Sequence, residues 1–266
     1  MKLIVRAADY AMTDSITDGC LKAIRDGILT DVGLMTNNWK YASRAVAELK
    51  KYSHVSIGQD LNLVSGIPAS DPTDIPSLVD ENGIFISSTE RKNRNLYDIP
   101  YKEIYHEMKL QVERFIKLIG RKPAYITGHS LSTPTLLQAQ EDIKNEYGVV
   151  TDCFTPELQV GNRWYYKGMK IDQNDRKPAY DLECQGNTDV VKHYVDGELN
   201  FDFSKEFGLL ATHCGYCDGE LMNMSTFSVI RGREVEALCS PKVRKWIEDN
   251  NITLVNFDDY LESLKK

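Results

Sequence analysis

Short apolar runs alternate with amphipathic helical patterns along most of this 266-residue chain. The runs are rich in β-branched residues, which is typical of buried strands. Strands that alternate with helices predict βαβ units and a parallel sheet, so the expected fold class is α/β with the size of a barrel domain. The predicted strands span residues 3–9, 31–36, 55–63, 124–129, 208–213 and 253–257.

Two parts of the chain interrupt this alternation. Residues 64–100 are rich in Ser, Asp, Pro and Gly, and predict a long insertion after the third strand. Residues 151–203 place aromatic side chains among polar ones, which favours an irregular lid or lobe. The strand–helix pattern resumes after each interruption, and we therefore expect residues 1–266 to form a single domain.

Composition excludes several classes of partner. The formal net charge is −7 and no block is rich in Lys or Arg, so neither nucleic acid nor an anionic membrane is an expected partner. No apolar stretch could span a bilayer, and Arg6 and Asp9 interrupt the N-terminal run, which is therefore not a secretory signal. The six cysteines are scattered, which predicts reduced thiols and a cytoplasmic location. We expect the Cys214–Cys217 pair to be incidental.

Four predicted strands end in an acid or a histidine: Asp9, Asp60, His129 and His213. The carboxyl ends of parallel strands meet at one rim, where ligands and catalysis are found. Two carboxylates and an imidazole make a plausible three-ligand metal site, and a fourth group could protonate a leaving group. The alternative stays open, because a strand-end Asp often starts a turn and a strand-end His is more often structural.

Other motifs and histidines offer no competing site. No serine nucleophile elbow, P-loop or dinucleotide-binding glycine motif follows a strand, which favours the metal interpretation. His54, His106 and His193 fall in a loop, on a helix face and in the irregular region, and we predict structural roles for them.

A series of short motifs gives a more specific indication, because their order and spacing matter more than any one of them. They are Asp9-Tyr-Ala, Gly27-Ile-Leu-Thr, Leu34-Met35-Thr-Asn37, Gly58-Gln-Asp60-Leu-Asn-Leu63, the 75–85 segment, Gly128-His129, His213-Cys-Gly-Tyr216 and Arg233-Glu-Val-Glu-Ala-Leu238. On these motifs the chain resembles the YdjC-like (ChbG-type) carbohydrate deacetylase family nearly end to end. The resemblance implies a distorted TIM-like barrel with mostly parallel strands. It also implies one divalent metal ion, whose activated water removes the acetyl group from an N-acetylated sugar or oligosaccharide.

The resemblance also implies a role for each strand-end residue. Asp9 matches a metal-binding aspartate, whereas Ala8 stands where the family has a second aspartate as general base. Asp60 takes the place of a histidine ligand, and His129 matches the third ligand. His213 matches a histidine expected to be the catalytic acid or a substrate contact.

The departures from the family pattern leave more than one function open. An aspartate at position 60 shifts the site toward harder ions, so Mg²⁺ is favoured over Zn²⁺ or Mn²⁺. The chain is predicted to be a carbohydrate N-acetyl deacetylase, or else an impaired relative that binds sugar or metal without efficient hydrolysis because of Ala8. A third hypothesis is a metal-dependent hydrolase that acts on another substrate. A carboxylate beside the metal would favour the enzyme, and Asp14, Asp18 and Asp218 are the candidates.

The expected partner is a small-molecule or oligosaccharide substrate, and a homodimer stays open. The aromatic region 164–194 is a candidate sugar-stacking lid or, equally, a dimer surface.

Overall fold

A computed structural model of the chain describes residues 1–151, 158–161 and 181–265. Within these ranges no helix combines the length and the apolar character needed to cross a membrane. The strands are β1 (Lys2–Tyr10), β2 (Asp31–Leu34), β3 (Ser56–Leu61), β4 (Tyr125–Gly128), β5 (Val150–Thr151), β6 (Leu158–Val160), β7 (Phe207–Thr212) and β8 (Thr253–Val255).

Helices connect most of these strands, as the alternating pattern predicts. They are α1 (Asp14–Asp26), α2 (Trp39–Leu49), α3 (Ser88–Arg94), α4 (Tyr101–Ile119), α5 (Pro134–Tyr147), α6 (Leu182–Asn187), α7 (Val190–Val195), α8 (Gly219–Met224), α9 (Ile230–Leu238), α10 (Pro241–Asp249) and α11 (Phe257–Ser263). Several helices begin at a side-chain cap. Thr13 accepts a hydrogen bond from the Ile16 backbone N–H, and Thr133 does the same for Leu136 ahead of Pro134.

The sheet is parallel at every described pairing, and its order is β5-β4-β3-β2-β1-β7-β6. Strand β1 pairs with both β2 and β7, and its first residues also pair with β8. Because all strands run the same way, their carboxyl ends lie at one rim of the sheet. The predicted α/β fold, a distorted TIM-like barrel, is confirmed.

Side chains of β1 alternate between two hydrophobic clusters, as a strand buried on both faces requires. Leu3 and Val5 pack with the surrounding helices, whereas Ile4 packs with Tyr125 in a second cluster. Gly58 makes room for that ring, since a Cβ at this position would lie 2.2 Å from Tyr125 Cζ. The interior of the sheet is therefore filled by side chains below the rim.

The predicted insertion after β3 is well anchored despite its polar composition. Buried carboxylates on α4 accept hydrogen bonds from its backbone: Glu107 from the N–H groups of Ala69 and Ser70, at 2.8 and 2.7 Å, and Glu103 from that of Ser77, at 2.8 Å. Apolar residues of the insertion, Phe85 among them, join a third hydrophobic cluster with α4 and α5. These contacts fix the segment at the rim.

Most of the aromatic residues of the predicted lid fall outside the described part of the chain. Trp164, Tyr165, Tyr166 and Tyr180 lie outside the described residues. Tyr194 lies on α7 and is only 1% exposed within the main hydrophobic cluster. Helix α7 packs this ring inward, so Tyr194 is a core residue.

Candidate metal centre

Asp9 lies near the end of β1, in an unusual backbone conformation. Its φ angle is 65° and that of Ala11 is 72°, values that residues other than glycine rarely adopt. The pairing of β1 with β2 shifts register between Ala7 and Tyr10, so this part of the strand is irregular. Strained backbone of this kind persists where the surrounding structure fixes it, and it clusters at functional sites.

The side chains of Asp9, Asp60 and His129 meet at the rim. One ligand atom from each lies within 4.8 Å of the others. Asp9 Oδ1 is 2.8 Å from His129 Nδ1, and the Asp9 backbone N–H donates to Asp60 Oδ2 at 2.9 Å. In the described part of the chain, this is the only cluster of three or more potential ligands with that spacing. The predicted convergence of the three residues is confirmed.

Neighbouring strands place the second and third residues. Asp60 pairs with Thr127 across β3 and β4, and the His129 backbone N–H donates to the Leu61 carbonyl at 3.0 Å. The His129 ring lies with Nδ1 toward Asp9, and its Nε2 is 3.2 Å from Ser130 Oγ. Each ring nitrogen therefore has a partner that fixes the orientation of the imidazole.

Charges in the group are strongly coupled. Burial alone would raise the pKa of Asp9, but the charges of His129 and Arg231 hold it well below its usual range. For Asp60, burial and the neighbouring Asp9 carboxylate raise the pKa to about 6. Burial opposes protonation of His129, yet Asp9 raises the pKa of its imidazole. Two carboxylates crowded in a buried site repel one another, and a bound cation would relieve that repulsion.

The donor set fits one divalent metal ion. Two carboxylates and an imidazole from three strands leave coordination positions open, as catalytic metal sites do. A set of two carboxylates and one imidazole is richer in oxygen than an Asp/His/His set, so it is better suited to hard ions such as Mg²⁺ and Mn²⁺. The residues present are therefore compatible with the ion that the family resemblance implies.

Arg231 is the site residue that the sequence did not predict. It lies on α9, is 2% exposed, and its Nη2 donates to Asp9 Oδ2 at 2.7 Å. The signal was present in α9, where the charged residues Arg231 and Glu234 occupy the same buried face as Ile230 and Val235. Fully buried charges usually have a specific partner, so their position on an apolar face indicates a site.

His213 directly follows β7 and lies beside the same group. Its backbone N–H donates to Glu234 Oε2 at 2.7 Å, and its carbonyl accepts a hydrogen bond from Arg231 Nη1 at 3.2 Å. Its ring meets the Phe227 ring edge to face, with 5.3 Å between centroids. Its charge also contributes to the lowered pKa of Asp9. The fourth predicted residue therefore lies at the same rim.

The carboxylates that the sequence offers as candidate general bases have other partners. Asp14 and Asp18 form salt bridges with Arg44 at 3.0 and 2.5 Å. Asp218 caps α8 by accepting a hydrogen bond from the Leu221 backbone N–H. Ala8 itself is 7% exposed at the end of β1. All three sequence-based candidates are thus engaged in other contacts.

The remaining histidines and the Cys214–Cys217 pair stay outside this group. His193 is buried on α7 with Nδ1 2.7 Å from Glu198 Oε2, and His106 Nε2 lies 3.9 Å from Asp74 Oδ2. Cys214 points into the core, where its sulfur is 3.9 Å from that of Cys20, whereas Cys217 is only partly buried.

Comparison with known proteins identifies the family. The model of the YdjC family, described as YdjC-like protein, matches residues 2–249. The chain therefore belongs to this family, and the resemblance drawn from its motifs is confirmed. Carbohydrate deacetylase 2 of Listeria innocua serovar 6a is 30% identical over 265 residues, which cover 97% of this chain and 98% of that protein.

Two further proteins align with nearly the whole chain. A carbohydrate deacetylase of Clostridium beijerinckii is 24% identical and covers 97% of this chain and 100% of its own. The crystal structure of a proposed cellobiose-phosphate cleavage protein from Enterococcus faecalis V583 superposes with a TM-score of 0.72 at 22% identity. That alignment covers 97% of this chain and 98% of the Enterococcus chain, and it shows that the two share a fold.

Proposed function

We propose that this protein is a metal-dependent carbohydrate deacetylase that hydrolyses the acetamide of an N-acetylated sugar or oligosaccharide. The observation that carries the proposal is the convergence of Asp9, Asp60 and His129 at the rim, with His213 beside them. The carbohydrate deacetylases of Listeria innocua and Clostridium beijerinckii, which match along almost the whole chain, support the reaction class.

In this proposal Asp9, Asp60 and His129 hold one divalent ion, for which Mg²⁺ is the favoured candidate. When bound, such an ion polarises the acetyl carbonyl and lowers the pKa of water at the site. The two carboxylates supply hard oxygen donors, and the imidazole of His129 is kept in orientation by Ser130.

The proposed role of His213 is proton transfer. As the amide bond breaks, the amino nitrogen of the sugar must gain a proton to leave as an amine, and a positioned imidazole supplies it. The backbone contacts to Glu234 and Arg231 and the packing against Phe227 hold His213 in place. The charge of His213 also lowers the pKa of Asp9, which supports a place for this imidazole at the same site.

A second candidate function follows from Ala8. A methyl group cannot take a proton from the attacking water, and the sequence-based replacements are engaged elsewhere. Loss of a general base typically slows a reaction by about 10²–10⁴-fold. The alternative is therefore an impaired relative that binds sugar or metal with little hydrolysis.

Acetate release from N-acetylglucosamine oligomers tests the proposal, measured with saturating Mg²⁺, Mn²⁺ or Zn²⁺ and again after chelation. We expect weak hydrolysis that requires metal and is lost in Asp9→Ala. Metal and sugar binding by calorimetry without acetate release would support the impaired relative instead. Hydrolysis that survives both chelation and Asp9→Ala would contradict both candidates.

A further inference from the structure

Helix α9 contacts both Asp9, a candidate metal ligand, and His213, the proposed proton donor. Its buried residues Arg231 and Glu234 are 2% and 1% exposed and lie one helical turn apart. Neither is one of the three candidate metal ligands at the strand ends, and neither is the proposed proton donor. Their contacts nevertheless run to Asp9 on one side and to His213 on the other.

The backbone of His213 is held by both of its polar groups. Glu234 Oε2 accepts from its N–H at 2.7 Å, and Arg231 Nη1 donates to its carbonyl at 3.2 Å. Hydrogen bonds to a charged partner are stronger than neutral ones, so this residue is fixed more firmly than an ordinary loop residue. The loop that carries His213 is therefore attached to α9.

Arg231 extends the attachment to the metal centre. Its Nη2 donates to Asp9 Oδ2 at 2.7 Å, and its Nε donates to the Phe227 carbonyl at 2.8 Å. The guanidinium lies over the Phe227 ring, 5.4 Å from its centroid, and the same ring packs against the His213 imidazole. A planar guanidinium can direct separate N–H groups to several acceptors, which a lysine ammonium cannot do in the same geometry.

The other side of the His213 loop is equally confined. Tyr216 N–H donates to the Ser15 carbonyl of α1 at 3.0 Å, and a Cβ on Gly215 would lie 2.4 Å from Ile16 Cδ1. The loop is therefore packed between α1 and α9 with no room for a side chain at Gly215. Its position is therefore set by α1 and α9 together.

We propose that Arg231 and Glu234 are positioning residues, which together hold His213 at a fixed place relative to Asp9. Arg231 orients the Asp9 carboxylate and the His213 carbonyl with one guanidinium, whereas Glu234 holds the His213 backbone N–H. This inference rests on the proposed function for its importance to catalysis. The contacts themselves do not depend on it.

Three variants separate the two roles. Arg231→Lys keeps the charge but loses the planar fork, and Glu234→Gln keeps an acceptor oxygen but loses the charge. The matched control is Arg233→Lys on the same helix, because Arg233 is exposed and bonds only to the Gly186 carbonyl and Glu236 among its described partners. Two readouts are needed: Mn²⁺ affinity by calorimetry, and the His213 backbone amide resonance in ¹⁵N-histidine-labelled protein, assigned with His213→Gln.

We expect Arg231→Lys to weaken Mn²⁺ binding about ten-fold, as loss of a residue that orients a ligand typically does, and to shift the His213 amide resonance. Glu234→Gln should shift that resonance upfield while Mn²⁺ affinity stays within about two-fold, and Arg233→Lys should change neither. A role limited to general stability would not produce this split.

An unchanged His213 resonance in Glu234→Gln, or equal effects in Arg233→Lys, would overturn the inference. So would Arg231→Lys with unaltered metal affinity. If Arg231→Lys does not fold, the His213 amide resonance in Glu234→Gln still tests whether α9 holds His213. If the unmodified protein binds no metal, the proposed function fails, while the amide resonances still test the positioning of His213.

Discussion

Asp9 illustrates how one residue can serve several contacts at once. Its backbone N–H binds Asp60, one carboxylate oxygen faces His129 and the other binds Arg231. Such a network holds the carboxylate in a single orientation, at the cost of a left-handed backbone conformation. Changes at this residue should therefore affect the whole site.

Ala8 gives the sharpest residue-scale prediction. We expect Ala8→Asp to raise kcat for acetate release by about ten-fold or more, because it restores a group able to accept the proton of the attacking water. The assay is acetate release at saturating metal, with Asp9→Ala as the inactive control. Strong activity in the unmodified chain would contradict this account of Ala8. No gain from Ala8→Asp, with metal and sugar still bound, would favour the binding protein.

Asp60 is expected to set the metal preference. Asp60→His replaces a hard oxygen donor with an imidazole, and it should raise the preference for Zn²⁺ over Mg²⁺. Competition titration of the two ions measures the change. If the ratio of affinities is the same in both proteins, Asp60 is not a ligand.

Asp31 gives a prediction about stability and pH. It is buried below the rim, where it accepts hydrogen bonds from Ser56 and Tyr125, and burial raises its pKa to about 7. A pKa raised above the unfolded value of about 3.9 means that the folded state binds the proton more tightly. The stability from this group is present below pH ~4 and is lost as the pH rises to about 7.

Urea unfolding between pH 4.5 and 7.5 measures this effect. Asp31→Asn removes the titrating group, so its free energy of unfolding should fall less with rising pH than that of the unmodified protein, by on the order of a few kcal/mol. Parallel curves for the two proteins would show that Asp31 does not titrate in this range.

At the scale of the element, helix α4 fixes the insertion that borders the site. Glu107 accepts hydrogen bonds from two backbone N–H groups and from Gln111 Nε2, all at 2.7–2.8 Å, and it is fully buried. Removal of this carboxylate leaves buried donors without a partner, which costs free energy for each group. Helix α4 therefore anchors the start of the insertion.

We expect Glu107→Ala to lower the free energy of unfolding by about 3 kcal/mol and to reduce the hydrogen-exchange protection of the Ala69 and Ser70 amides. The control is Glu113→Ala, an exposed position on the same helix, which should stay within about 0.5 kcal/mol of the unmodified protein. Equal destabilisation by the two variants would show that the buried carboxylate has no special role.

The elements also show what the sequence could and could not predict. Asp9, Asp60, His129 and His213 were predictable because each follows a short apolar run, a local pattern that reports the strand end. Arg231 lies 222 residues from Asp9 along the chain, and no local pattern records such a pairing. The anchoring of the insertion could not be predicted either. It depends on Glu103 and Glu107 of α4, which look in the sequence like the polar residues of any amphipathic helix.

At the scale of the whole molecule, the parallel sheet explains why these residues meet. Strands that run in one direction place all their carboxyl ends at one rim, so side chains distant in sequence reach a common point. The interior below is filled by Tyr125 and its neighbours, and the helices pack around the outside. The fold thus brings Asp9, Asp60 and His129 together at the rim, where the first two are buried and His129 is partly buried.

Anomalous diffraction from crystals grown with Mn²⁺ tests the central claim most directly. We expect one anomalous peak bounded by Asp9, Asp60 and His129, with metal–ligand distances of about 2.0–2.3 Å. The same experiment on Asp9→Ala should show no peak there. A peak at another place, or none at the rim when Mn²⁺ is saturating, would contradict the metal centre and the function built on it.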